Sequence, residues 1–154
     1  MLILLTNDDG IFATGLAAMH RELLQMGEVH VVAPESVQSA AGHGITLHSP
    51  LLTSRMKFDG FEGTAVDGRP ADCVKLAVSQ ILPRPPDLVV SGINSGANVG
   101  INVIYSGTVA AAIEGAFLGI PSIAASLHMR KEFQPDYATA AKWTRETIEK
   151  ILAG

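Results

Sequence analysis

The chain has 154 residues, 47% of them hydrophobic and 17% charged, and carries a net charge of -4 at neutral pH. That length and apolar content suit a single folded α/β domain, residues 1–154, with one core and exclude a disordered chain, while the few, scattered Lys and Arg exclude an electrostatic footprint for duplex nucleic acid or an anionic membrane. No apolar stretch reaches bilayer length, the amino terminus lacks the charged start of an export signal, and Cys73, the one cysteine, sits in an apolar pattern as a buried thiol, so the cytoplasm is the expected compartment.

Leu2 to Leu5 is a continuous apolar run that stops at Thr6-Asn7-Asp8-Asp9, the pattern of a strand buried on both faces whose carboxyl end opens into a site. Thr14 to Gly27 has a capping residue, helix-spaced apolar positions and a terminal glycine, which predicts a helix. Val29 to Ala33 is a second buried strand closed by Pro34, and strand, helix, strand makes a right-handed crossover of a parallel sheet. After a Ser-, Ala- and Gly-rich loop from Glu35 to Gly44, Ile45 to Leu52 and Phe58 to Val66 read as short strands or a hairpin. Pro70 opens a helix to Leu82, the prolines from Pro83 end it, and Leu88 to Ser91 is another buried strand. Gly92 to Gly107 is dominated by Gly, Asn and Ser; a small-residue helix from Thr108 to Leu118, a strand from Ser122 to Ser126 and a helix from Asp136 to Leu152 complete the chain. The expected fold is a Rossmann-like, doubly wound, mostly parallel sheet with helices on both faces and a small hairpin region.

In such sheets ligands bind beyond the carboxyl ends of the strands. Here those ends supply Asn7-Asp8-Asp9-Gly10, a loop with Ser36, Gln38 and Ser39, and Gly92-Ile93-Asn94-Ser95-Gly96-Ala97-Asn98, all on one rim. Asp-Asp-Gly after a strand also reads as a plain turn with an Asx cap. The second long Gly- and Asn-rich loop tips the reading towards a site, because two adjacent carboxylates in a crevice need a cation and a hard dication prefers oxygen ligands. One Mg, Mn or Ca ion is expected there; zinc suits this oxygen-rich set less well. Tyr105-Ser106-Gly107-Thr108-Val109 leads into a helix whose free N–H groups, with two hydroxyls and close backbone access, make a phosphate cradle; a simple helix cap at Thr108 is the alternative. His43 lies near this rim without an identifiable partner, Asp67 and Asp72 flank a helix start that favours acidic residues, and Arg130, Lys131 and Lys142 read as solvated surface.

Several stretches carry a more specific pattern. They are Thr6-Asn7-Asp8-Asp9-Gly10-Ile11, Val31-Val32-Ala33-Pro34 with Gln38-Ser39-Ala40, Pro70-Ala71-Asp72-Cys73-Val74, Pro86 to Asn94 with Gly96 and Asn98, and Tyr105 to Val109. Together, in this order and from Met1 to about Ser126, they resemble the SurE survival-protein family, 5'/3'-nucleotidases with broader acid phosphatase activity. The resemblance implies metal ligands at Asp8, Asp9, Ser39 and Asn94, and phosphate contacts around Asn98, Ser106, Gly107 and Thr108. It also implies nucleoside monophosphates, sometimes short polyphosphate, as substrates, and homodimers or tetramers assembled through a carboxyl-terminal hairpin and helix beyond the span of residues 1–154. Arg69 departs from the Thr common in the family before the helix proline.

The expected chemistry is divalent-metal-dependent hydrolysis of nucleoside 5'- and 3'-monophosphates, with Asp8 and Asp9 as the catalytic, metal-holding carboxylates and either a carboxylate or an activated water as nucleophile. The alternative is a non-enzymatic phospho-receiver switch, which also pairs acids after its first strand. That switch needs an acceptor Asp after its middle strand and a later Lys, where this chain has Ser91-Gly92-Ile93-Asn94 and Ser126-Leu127-His128. A dinucleotide-dependent oxidoreductase would need a Gly-x-Gly-x-x-Gly turn after the first strand, which Asn7-Asp8-Asp9-Gly10 does not supply.

Overall fold

The computed structural model describes residues 1–40, 42–130 and 132–154. Its first strand is the apolar run at the amino terminus: β1, Leu2–Thr6, buried along its whole length. In chain order there follow α1 (Thr14–Leu23), β2 (Glu28–Pro34), β3 (Thr53–Phe58), β4 (Phe61–Val66), α2 (Pro70–Leu76) with a wider π turn at Ala77–Ile81, β5 (Leu88–Ser95), α3 (Asn102–Tyr105), α4 (Gly107–Phe117), β6 (Ser122–Leu127) and α5 (Tyr137–Ala153). Among the described residues the strands form one six-stranded sheet, β3-β4-β2-β1-β5-β6. Only the β3–β4 hairpin pairs antiparallel; every other neighbouring pair is parallel.

The winding places the site. From β1 the chain moves outwards through β2 to β4, then returns to the other side of β1 with β5 and continues to β6. The direction therefore reverses between β1 and β5, where the loops leave in opposite directions and a crevice opens beyond the strand ends. Alternate residues of β1 serve opposite faces of the sheet. Ile3 and Leu5 pack with α1 residues Leu16, Met19 and Leu23 and α5 residues Ala141 and Ile148. Leu4 packs with Cys73 and Val74 of α2 and Ala111 of α4. A strand covered on both sides needs apolar residues without alternation, and each fully buried Leu contributes roughly 2 kcal/mol.

Where elements depart from the sequence expectations, local causes are visible. Thr14 does not cap α1; Ala13 precedes the helix without a side-chain bond. The helix ends at Leu23, and turns carry the chain to Gly27, where a Cβ would lie 2.1 Å from the Met1 carbonyl oxygen. Gly27 thus serves a close crossing of two chain segments rather than a helix cap. Residues 45–52 form no strand; Thr46 instead bonds Asp72 through both its N–H and its hydroxyl, at 2.9 and 2.7 Å, and the hairpin begins at Thr53. Asp72 also accepts from the Arg69 N–H at 2.9 Å, so it closes the start of α2 with arginine at position 69 and does more than complement the helix dipole.

β5 runs on to Ser95 instead of ending at Ser91. Its register with β6 slips between Ser91 and Asn94, at Gly92, whose φ is +128° and where a Cβ would sit 2.3 Å from the Ala125 carbonyl oxygen. This irregularity lets the strand carry Asn94 and Ser95 to the crevice. On the other side of the crevice α1 rests on β5 through Gly15, where a Cβ would meet the Ile93 carbonyl oxygen at 2.2 Å. Gly15→Ala is expected to lower the unfolding free energy by about 2 kcal/mol, in the range of other overpacking substitutions. Urea denaturation measures it, and an unchanged midpoint would mean that α1 and β5 can separate at no cost.

Candidate active site

The turn after β1 is closed by the Asn7 side chain and by the loop after β2. Asn7 Nδ2 donates to the Gly10 carbonyl at 2.9 Å, Gly10 takes a φ of +92° that favours glycine, and the Gln38 N–H donates to the Asp8 carbonyl at 2.7 Å. This turn aims Asp8 at the start of α4. Asp8 is only 6% exposed, and its Oδ1 accepts from Thr108 Oγ1 at 2.6 Å. Burial raises the Asp8 pKa, the Thr108 hydroxyl opposes that rise by binding the ionised form, and the neighbouring charge of Asp9 reinforces it. Asp9 is half-buried, and its Oδ2 accepts from the Ser95 N–H at 2.8 Å, across the crevice from β1 to β5.

A cavity of about 300 Å³ lies between these elements, and Asp8, Asp9, Ser39, Asn94, Asn98 and Ser106 all line it. The loop after β2 thus sends one of its three polar candidates, Ser39, to the wall, while Gln38 bonds its own neighbour Ser36 at 3.4 Å. Asn94 Nδ2 donates to the Gly96 carbonyl at 2.6 Å, which leaves the amide oxygen for a cation. Asn98 Nδ2 donates to Ser126 Oγ at 2.8 Å. Gly107 and Thr108 stand behind Asp8 and are not among the wall residues. A Cβ on Gly107 would lie 2.8 Å from the Asp8 Cβ and 3.1 Å from its Oδ2. A side chain there would displace Asp8 together with any phosphate. The cap of α4 is Ser106, whose Oγ accepts from the Val109 N–H at 3.2 Å, and not Thr108, whose hydroxyl is committed to Asp8.

The chemistry of this wall suits a hard dication. Two neighbouring carboxylates, a serine and an asparagine converge, and among the described residues the lining contains no Lys, Arg or His to meet the two charges. Among the described residues no three His, Cys, Asp or Glu side chains gather as a metal cluster. An ion here would therefore draw on hydroxyl and amide oxygens besides the two carboxylates, the donor set of Mg, Mn or Ca.

Sequence reasoning missed several contributors. Ser95 holds Asp9 through its backbone N–H, which no side-chain pattern reveals, and Asn102 and Tyr105 add to the wall from the short α3. Ser95 and Tyr105 fell within the rim and helix-entry stretches without a role of their own, and the signal for Asn102 was its place in the Gly- and Asn-rich segment. His43 does have a partner: its Nε2 lies 2.7 Å from Glu114 Oε2. Cys73 is fully buried and burial pushes its thiol pKa up, as its apolar setting indicates. Arg130 and Lys142 are exposed, and Lys131 lies outside the described residues.

The sheet order, the crevice at the reversal of winding and the paired carboxylates define a Rossmann-like α/β protein with an acidic, oxygen-lined pocket. The family model described as "Survival protein SurE" matches residues 3–154. The 5'-nucleotidase SurE of Syntrophus aciditrophicus is 57% identical over 153 residues, covering 99% of this chain and 57% of that protein, and the one from Heliobacterium modesticaldum is 50% identical over 155 residues, covering 99% and 56%. The crystal structure of the SurE protein from Aquifex aeolicus superposes with a TM-score of 0.88 at 42% identity, covering 99% of this chain and 60% of that one. The chain belongs to the SurE family. It spans a little over half the length of these relatives.

The raised pKa of Asp8 has a definite consequence for stability. A carboxyl whose folded pKa exceeds its unfolded value favours folding fully below the unfolded value, near 3.8, and that contribution is lost as pH rises through the raised folded value. In metal-free protein at neutral pH the burial of Asp8 therefore opposes folding. Asp8→Asn is expected to raise the neutral-pH melting temperature of metal-free protein, and Thr108→Val, which removes the hydroxyl from the carboxylate, to lower it. Thermal melts in EDTA across pH 4 to about 8 measure both effects; a melting temperature that falls in Asp8→Asn at neutral pH would assign Asp8 a structural role.

Proposed function

We propose that the protein is a phosphomonoesterase, dependent on one divalent cation, that hydrolyses nucleoside 5'- and 3'-monophosphates to nucleoside and phosphate, with short polyphosphate as a further substrate. The observation that carries this reading is the pair Asp8 and Asp9, side by side in a cavity to which no described Lys, Arg or His contributes, at the amino end of a helix. The name 5'-nucleotidase borne by the relatives supports the substrate class.

In this reading Asp8, Asp9, Ser39 and Asn94 hold Mg, Mn or Ca. The bound cation would neutralise phosphoryl oxygens and acidify a water for attack. The chain's own groups do the positioning. Thr108 binds the ionised form of Asp8 and so offsets the effect of burial, and the Ser95 N–H fixes one oxygen of Asp9, leaving the other to face the cavity. Ser106 accepts from Val109 and keeps its own hydroxyl proton to donate to a phosphate oxygen. Asn98 lines the same wall, and the amino end of α4 adds a favourable dipole for an anion. Gly107 and Thr108 act on phosphate through the placement of Asp8 and of the helix end.

The remaining parts of the reading follow from composition. No described helix is long and apolar enough to cross a membrane, and an unpaired buried Cys73 suits the cytoplasm. The net charge of -4 disfavours duplex nucleic acid as a partner. The assembly is proposed as a homodimer or tetramer.

Phosphate release from AMP should require added Mn or Mg and stop in excess EDTA; undiminished turnover in EDTA would sink the cation. Asp9→Asn should lose activity by at least on the order of a hundredfold, since loss of a ligand exceeds loss of a supporting partner. It should still unfold cooperatively, because asparagine retains an oxygen for the Ser95 N–H. A variant that keeps wild-type turnover would remove Asp9 from the chemistry.

A further inference from the structure

Outside the cavity, Glu114 is a buried charged group with no part in the chemistry above. Glu114, on α4, has a side chain only 8% exposed, and it holds two partners from different elements: Lys75 Nζ of α2 at 3.2 Å on Oε1, and His43 Nε2 at 2.7 Å on Oε2. The His43 ring also stacks on Phe117, one turn further along α4, with centroids 5.5 Å apart and planes at 22°. A carboxylate taken out of water destabilises unless both oxygens are met, so helices α2 and α4 together present a firm acceptor to the loop that carries His43.

That loop is the one that carries Ser39. Its described residues belong to no helix or strand, and Ser39 is exposed on it. Upstream, the Gln38 N–H is tied to the Asp8 carbonyl at 2.7 Å; downstream, the Gly42 N–H is tied to the Tyr105 carbonyl at 3.1 Å, and His43 follows directly. Ala40 and Gly42 take φ values of +57° and +55°, so the backbone turns at each of these two residues. The four steps from Ser39 to His43 reach at most about 14 Å even when extended, and the turns shorten them further. Fixing His43 therefore restricts where the Ser39 hydroxyl can be.

We infer that His43 is a positioning residue for the cation site: its hydrogen bond to Glu114 holds the loop so that Ser39 meets Asp8 and Asp9. The inference rests on the cation reading given above. Both ends of the arrangement hang on the same helix. Thr108, near the start of α4, fixes Asp8, and Glu114, less than two turns further on, fixes the loop of Ser39.

The test is Mn binding by calorimetry to the wild-type protein and three variants, each shown by circular dichroism to unfold cooperatively. His43→Ala should weaken Mn affinity about tenfold, as loss of supporting partners does in metal sites. His43→Gln, whose amide N–H can still donate to Glu114, should recover most of it. Lys75→Met removes the other partner of Glu114 and leaves His43 in place, so it should lower the melting temperature with Mn affinity near wild type. Unchanged affinity in His43→Ala, no recovery in His43→Gln, or an equal loss in Lys75→Met would each overturn the inference and leave His43 as a partner that only satisfies a buried carboxylate. Absence of Mn binding by the wild-type protein would overturn the cation reading itself.

Discussion

Burying one carboxyl group beside a second is the constraint that organises the crevice. Asp8 lies almost wholly inside the protein, beside a second carboxylate, and its stabilising donor is Thr108, on a helix a hundred residues further along the chain. That contact requires β1 and the start of α4 to lie side by side. β5, adjacent to β1, brings Ser95 to the other carboxylate from across the reversal of winding. The sheet order is thus what lets two groups distant in sequence bind two residues adjacent in sequence. A parallel sheet wound without reversal would send the loops after β1 and β5 to the same side and leave no opening between them.

Close approach, rather than conformational freedom alone, explains the small residues around this opening. Gly107 lets the Asp8 side chain lie against the first residue of α4, and Gly15 lets α1 settle on the Ile93 carbonyl of β5. A methyl group at either place would push apart the elements that carry Asp8 and Asn94. Gly92 combines both demands, with a positive φ and a neighbouring carbonyl. The slip it permits in the β5–β6 register moves Asn94 and Ser95 onto the rim.

The fold and the rim were legible in the sequence for the same reason. Strands covered on both faces write themselves as unbroken apolar runs, and the residues after Leu5, Ala33 and Ser91 are then the rim by topology. Asp8, Asp9, Ser39, Asn94 and Asn98 were found this way, Ser106 from its place at the entry to a helix, and all six line one cavity. Interactions that join distant residues or use the backbone left no local trace. Glu114 as the partner of His43, Thr108 as the donor to Asp8, and the Ser95 N–H under Asp9 all depend on which helix lies over which strand end. The hairpin was displaced for a related reason. Ile45 to Leu52 has strand-like composition, but its polar groups are taken by Asp72 and Asp67, which only the folded chain brings near.

α4 emerges as the common support of the rim. Its first turn holds Asp8 through Thr108 and supplies Ser106 to the wall, and its middle holds the Ser39 loop through Glu114 and His43. Its own position is set from below by Ala111, packed with Leu4, Val74 and Val89, and at its far end by Gly115, where a Cβ would meet Ser122 Oγ at 2.4 Å. An α-helix is stiff over so short a length, so a shift of α4 would move Asp8's donor and the Ser39 loop by similar amounts and in the same direction. Asp9 and Asn94 would not follow, because they are tied to β1 and β5. The geometry between the two halves of the site is therefore governed by the packing of one helix on the central strands, and residues such as Ala111 and Gly115, which touch no ligand, share in determining it.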